Sequence, residues 1–201
     1  MTALWMTLAL MTVARPPAVA VPVAIIAPSN VSDSLVTRIC AEADAIWQPA
    51  GVVFECHRIR SGREANGWPL TVTIDDQDAR REPDKALGWI GFTPDGPERS
   101  IYLSQAYAEE LVRWTPGLLN LTVASHEILI GRALGRALAH EIGHYLFRSK
   151  IHTPRGLMRT GRAGEEFLDS SRTGFELTPD QWSAAGLSLQ LVGLSWPHRI
   201  G

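Results

Sequence analysis

Ala139-His140-Glu141-Ile142-Gly143-His144-Tyr145-Leu146 decides how the rest of the chain is read. His140 and His144 are four positions apart, so on a helix they stand one turn above each other and can turn a ring nitrogen toward the same ion. Glu141 lies a little further round, too far to be a natural third ligand but placed to touch a water held beside that ion, which is the position of a general base. Leu134, Leu138, Ile142 and Tyr145 recur at helical spacing on the side away from the histidines, and Ala133 and Ala137 precede the histidines on their own side. One face is expected to pack against a sheet and the other to stay low and open.

A catalytic Zn2+ takes three protein ligands and keeps its fourth position for water, so another donor has to follow the helix. His152, in Ser149-Lys150-Ile151-His152-Thr153-Pro154, is the nearest candidate, and Pro154 argues that the helix has ended before it. Gly156-Leu157-Met158 then reads as a turn with a buried-type methionine. Glu165, Glu166 and Asp169 stand as alternative third ligands, although Glu165-Glu166 reads equally as a solvated polar segment. His126-Glu127 repeats the start of the motif, but Ile130 stands where its second histidine is needed. The plain alternative for the whole string is two ordinary histidines on an amphipathic helix.

Residues 133–158 resemble the metzincin clan of zinc metallopeptidases, in particular short bacterial metzincin-like proteins with His-Glu-x-Gly-His, a later His, and Gly-(Leu/Ile)-Met. The resemblance implies an α+β zincin domain: a twisted, mostly parallel sheet with an antiparallel edge strand, an active-site helix and a C-terminal helix. It implies His140, His144 and His152 as Zn2+ ligands, Glu141 as the base, and Met158 as a floor beneath the metal that does not bind it. It also implies that the last strand before the active-site helix is the antiparallel edge where an extended peptide docks by strand addition, which would put the backbone of residues 101–103 on the rim of the cleft. Two positions depart from the family pattern. Phe147 stands where a glycine usually lets the chain swing away, and Lys150 stands where the third histidine usually falls, so His152 arrives two residues late. Loop closure depends only weakly on length, so the longer loop can still return to the metal by a different path.

The 201 residues are 45% hydrophobic and 20% charged with a formal net charge of -2, as expected for one globular domain with a real core and no bias toward nucleic acid. Residues 1–20 read as a signal peptide: Ala3 to Ala14 is apolar but too short for an ordinary membrane span, and Ala18-Val19-Ala20 offers a small-x-small cleavage site. Met1 to Met6 lack the usual Lys or Arg, which leaves an uncleaved apolar start as the alternative. The mature chain, 21–201, is expected to be a single secreted or periplasmic domain without a stable membrane span, and a monomer.

Val21–Ile26 reads as a strand, Val31 or Ser32 onward as a helix lined by Leu35, Ile39, Ala43 and Ile46, and Val52–Cys56 as a second strand. This strand-helix-strand opening favours a parallel pair. Cys40 and Cys56 either form a disulfide or pack as two buried thiols. Further strands are expected at Leu70–Ile74, Ala86–Phe92 and Arg99–Ser104, with Trp89, Tyr107 and Trp114 as core or pocket wall. Arg159 to Glu176 reads as polar and irregular. Thr178-Pro179-Asp180-Gln181 opens a last helix with capping-box spacing, Trp182 and Leu187 give it an apolar face, and the tail from Leu189 to Trp196 is expected to pack back on the body.

The function that follows is that of a zinc metalloendopeptidase acting on a peptide or protein, with Arg155, Arg159 and Tyr145 as candidate second stabilisers of the developing charge. The alternatives are an exported zinc-binding domain that captures a peptide without cutting it, and an accidental motif.

Overall fold

The computed structural model describes residues 19–75, 86–118 and 120–185. The apolar start at 3–14, Leu187 and the tail from Leu189 lie outside the described residues. Five strands form one sheet: β1 (Val19–Ile26), β2 (Val52–Ile59), β3 (Leu70–Asp75), β4 (Gly88–Thr93) and β5 (Gly96–Ser104). Their order is β2-β1-β3-β5-β4, with every neighbouring pair parallel except β4 and β5. The fold is therefore α+β, a mostly parallel sheet with an antiparallel edge strand, as the sequence implies.

The edge is β4 and not the last strand before the active-site helix. Ile101 pairs with Val72 of β3 on one side and with Ile90 of β4 on the other, and Leu103 with Ile74 and Gly88. The backbone of residues 101–103 is thus closed within the sheet, and the strand that borders the cleft is β4. The tight Thr93–Gly96 turn folds β5 back as an interior strand, a reversal that alternation within each strand does not reveal.

Helix α1 (Asp33–Trp47) connects β1 to β2 and starts on Ser32, whose Oγ accepts a hydrogen bond from the Leu35 amide at 3.0 Å. Cys40 on α1 and Cys56 on β2 are joined as a disulfide. Helix α2 (Gln105–Trp114), which follows β5 directly, has no counterpart among the elements expected from the sequence; it buries Ala108 and Val112 but leaves Trp114 73% exposed, so Trp114 is not core and instead lines a shallow surface pocket with Tyr107 and Leu111.

The long helix α3 (Val123–Phe147) runs across the sheet with Leu134, Leu138 and Ile142 fully buried. It packs closely on α1 because two glycines one turn apart leave room for it. A Cβ on Gly131 would come within 2.7 Å of the Arg38 Cβ, and one on Gly135 within 2.5 Å of the Glu42 Cβ. At the same place Arg136, with no exposed surface, points its Nε at Glu42 Oε1 over 3.0 Å. The Arg136 guanidinium also donates to the carbonyls of Glu166, Asp169 and Ser171. One buried cation thereby fastens 166–171 to α3.

The stretch 159–176 is only partly irregular. It contains the short α4 (Gly164–Leu168) and buries Leu168 and Phe175. A helical stretch at 179–185 follows. Its capping box is made as expected: Gln181 N lies 3.3 Å from Thr178 Oγ1, and Thr178 N 3.0 Å from Gln181 Oε1. Gln181 is the buried residue of its first turn, while Trp182 is 46% exposed.

Candidate metal centre

Helix α3 supplies His140, Glu141 and His144, and the loop after it supplies His152. The candidate nitrogens of His140, His144 and His152 all lie within 4.8 Å of one another. The Nε2 atoms of His144 and His152 are 3.2 Å apart, close to the separation of about 3.3 Å that two nitrogens take at Zn–N distances near 2.05 Å in a tetrahedral shell.

The other ring nitrogens fix the tautomers. His140 Nδ1 sits 2.9 Å from the Leu157 carbonyl and His144 Nδ1 2.7 Å from the Ser149 carbonyl. A carbonyl can only accept, so each Nδ1 carries the proton and each Nε2 turns a lone pair inward. Burial pushes the His140 pKa down to about 4 and lowers that of His144, against the opposing hydrogen bonds; burial likewise lowers His152. Neutral imidazoles are what a metal requires. Donor type, spacing and protonation together fit a divalent transition metal.

The loop reaches this geometry by a route the sequence hides. The helix ends at Phe147, and the left-handed turn falls on Arg148, a non-glycine residue at φ 50°. Its amide still caps the helix through the His144 and Tyr145 carbonyls, and its Nη2 donates to the Asp95 carbonyl at 2.5 Å. Displacing the swing by one residue from Phe147 accommodates the late arrival of His152. Phe147 is free to pack as core against Trp47, with ring centroids 5.8 Å apart.

Burial alone pushes the Glu141 carboxyl up to about 8. A dication beside it would draw that value down. Met158 lies under the site, buried, in the Gly156-Leu157-Met158 turn, where Gly156 has φ +70° and its α-carbon faces Thr178 and the Glu176 carbonyl so closely that no side chain fits.

The acidic alternatives are occupied elsewhere. Both Glu166 oxygens lie 2.5 Å from Arg159 Nη2, and an Asp169 oxygen accepts from the Ser171 amide at 2.8 Å. Glu165 is exposed on α4. Among the described residues the three-histidine group contains none of them. Of the suggested charge stabilisers, Tyr145 gives its hydroxyl to the Pro69 carbonyl at 3.1 Å, and Arg155 is exposed; Arg159 faces a cavity beside the histidines. Glu127, the false start of the motif, accepts hydrogen bonds from Ser32 and Ser34 at the α1 N-terminus.

Comparison with solved structures gives the fold a name. The chain resembles archaemetzincin from Methanopyrus kandleri, with a TM-score of 0.54 at 14% identity over 85% of this chain and 96% of that one. The fold is metzincin-like. Metalloproteinase-II from Bacteroides fragilis is also similar, with a TM-score of 0.47 at 14% identity over 88% of this chain and 55% of that one. No family model matches the sequence, and no curated protein is similar enough to count as a match. The likeness is therefore one of backbone architecture, and the three imidazoles have to be argued from their own geometry.

Proposed function

We propose that the chain is a zinc-dependent endopeptidase of the metzincin type, with His140, His144 and His152 holding Zn2+ and Glu141 acting as the general base. The observation that carries this reading is the convergence of three neutral imidazoles within 4.8 Å, one half-buried, one buried and one exposed, next to a carboxyl raised to about 8. Structural zinc sites close their shell with four protein ligands, whereas three leave a position for water, which is the arrangement of a hydrolase. Zinc in such a site supplies a Lewis acid and lowers the pKa of water from 15.7 to about 7.

The chain's own residues do the rest. Glu141 accepts a proton from the attacking water and returns it to the departing amine nitrogen. The Leu157 and Ser149 carbonyls hold the two helical imidazoles in the ligating tautomer. Met158 and the Gln181 side chain, whose Nε2 donates to Thr153 Oγ1 at 3.0 Å, support the loop that carries His152. Among the described residues β4 is the outer strand of the sheet beside the cleft, and its backbone edge suits an extended peptide.

Export fits the same reading. A disulfide between Cys40 and Cys56 suits an oxidising compartment, which supports residues 1–20 as a signal peptide and 21–201 as the working domain. β1 starts at Val19, so its first two, exposed residues fall on the leader side of the expected cleavage site and the buried part of the strand begins at Val21. Among the described residues no helix is long and apolar enough to cross a membrane. The test is hydrolysis of an unfolded protein by the zinc-loaded chain, measured beside Glu141→Ala. Cleavage by the parent alone is the expected result; equal cleavage by both removes Glu141 from its role.

A further inference from the structure

Beside His140 and Glu141 a cavity of about 280 Å³ opens between α3, α2 and the segment after Met158. Pockets for drug-sized ligands run to roughly 300–1,000 Å³, so this one suits a single side chain or a chain end. Leu111 and Phe167 give it apolar walls, while Arg159 and Arg162 bring two guanidinium groups to its lining.

We propose that this cavity receives a carboxylate of the substrate, carried next to the bond that is cut, and that Arg159 is the residue that selects it. This rests on the peptidase reading for its placement, and on the charges of the wall for its chemistry. Arg159 and Arg162 share one carboxylate, Glu166, which lies 2.5 Å from Arg159 Nη2 and 3.5 Å from Arg162 Nη1. Arg162 spends its remaining bonds on the Gly156 and Gly174 carbonyls and covers the Phe175 ring at 3.9 Å. Carbonyls and a ring face do not cancel a charge. The same pattern recurs behind the wall, where Arg136 and Arg172 share Glu42.

The wall therefore carries two cations against one anion. Arg159 Nε is buried and has no acceptor among the described residues. That atom is closed off as the wall stands, but a third of the Arg159 side chain is exposed, and a charged acceptor is the strongest complement to a guanidinium donor. The single carboxylate among the lining residues is Glu141, at the metal end, where the dication offsets it. A neutral acceptor could take a hydrogen bond but would leave the excess positive charge uncompensated, and a basic side chain would be repelled by it. The carboxylate can come from an Asp or Glu side chain or from the free C-terminus of a short peptide, and the two sources separate by experiment.

The test uses the zinc-loaded Glu141→Ala chain, so that peptides stay intact, and calorimetric titration with blocked alanine-rich hexapeptides carrying Glu or Gln at each position in turn. A second pair has a free or an amidated C-terminus. Charged hydrogen bonds are worth about 1.5–3 kcal/mol, so a side-chain source predicts that at one position Glu binds roughly tenfold or more tightly than Gln. A terminal source shows that ratio between the free and amidated peptides instead. In Glu141→Ala/Arg159→Gln the ratio should collapse toward one, while Glu141→Ala/Arg159→Lys should keep a part of it. Equal affinities within every pair overturn the proposal, as does a ratio untouched by Arg159→Gln. Cleavage by the parent chain is read separately: discrimination without cleavage removes the peptidase and leaves the carboxylate pocket, and cleavage without discrimination does the reverse.

Discussion

The sulfur of Met158 occupies the space that a side chain on Gly143 would need: a Cβ there would lie 2.3 Å from Met158 Sδ. The glycine between Glu141 and His144 is thus set by the turn that packs beneath the helix at the three histidines. Gly143→Ala gains helix propensity of up to about 1 kcal/mol, but overpacking a filled site costs about 1–3 kcal/mol. The expected outcome is a lower thermal midpoint together with weaker zinc retention. The clash is with the end of the Met158 side chain, so Met158→Ala should relieve it and restore zinc binding in the Gly143→Ala background.

Removal of His152 separates it from the two helical ligands. His152→Ala should lower zinc affinity by orders of magnitude while leaving the far-ultraviolet spectrum unchanged, because the residue is exposed and lies on a loop. Competition with a metallochromic chelator measures it. Unaltered affinity would return the third ligand to an acidic residue.

Metal removal should also be visible as stability. A ligand bound only by the folded chain adds about 2.7 kcal/mol at a hundredfold excess over its dissociation constant. For a domain of this size that corresponds to a shift of about 5–10 °C in Tm, so dialysis against a chelator should lower the midpoint by that amount and zinc should restore it.

Arg136 gives a prediction remote from the metal. Breaking a buried ion pair by deleting one partner typically costs about 3–5 kcal/mol. Arg136→Met leaves Glu42 facing only Arg172, which is 46% exposed, and frees the 166–171 carbonyls. Chemical denaturation should report a loss in that range, and limited proteolysis should find new cuts after residue 160.

How far the sequence reached depends on whether a feature is periodic. Leu134, Leu138 and Ile142 repeat at helical spacing, and His140, Glu141 and His144 ride on that repeat, so the helix and its ligands are legible. His152 and the Gly156-Leu157-Met158 turn follow because a metal demands another donor nearby. Arg99–Ser104 reads as a strand, part of the observed Gly96–Ser104, but its neighbours are a matter of sheet order, so the edge is misplaced by one strand. Helix α2 buries little more than Ala108 and Val112, too thin a stripe to signal a helix. Arg136 and Glu42 look like surface residues because the charge of each is cancelled by a partner 94 positions away. The turn at Arg148 is hidden for another reason: its side chain anchors to Asp95, which offsets a backbone conformation that usually asks for glycine.

Zinc K-edge absorption on the purified chain tests the central claim most directly. One zinc per chain, with three imidazole nitrogens near 2.0–2.1 Å and one further oxygen, is the predicted result, and His152→Ala should lose one imidazole from that shell. A purified, zinc-exposed chain that holds no metal, or a shell with only two imidazoles in the parent, would contradict it.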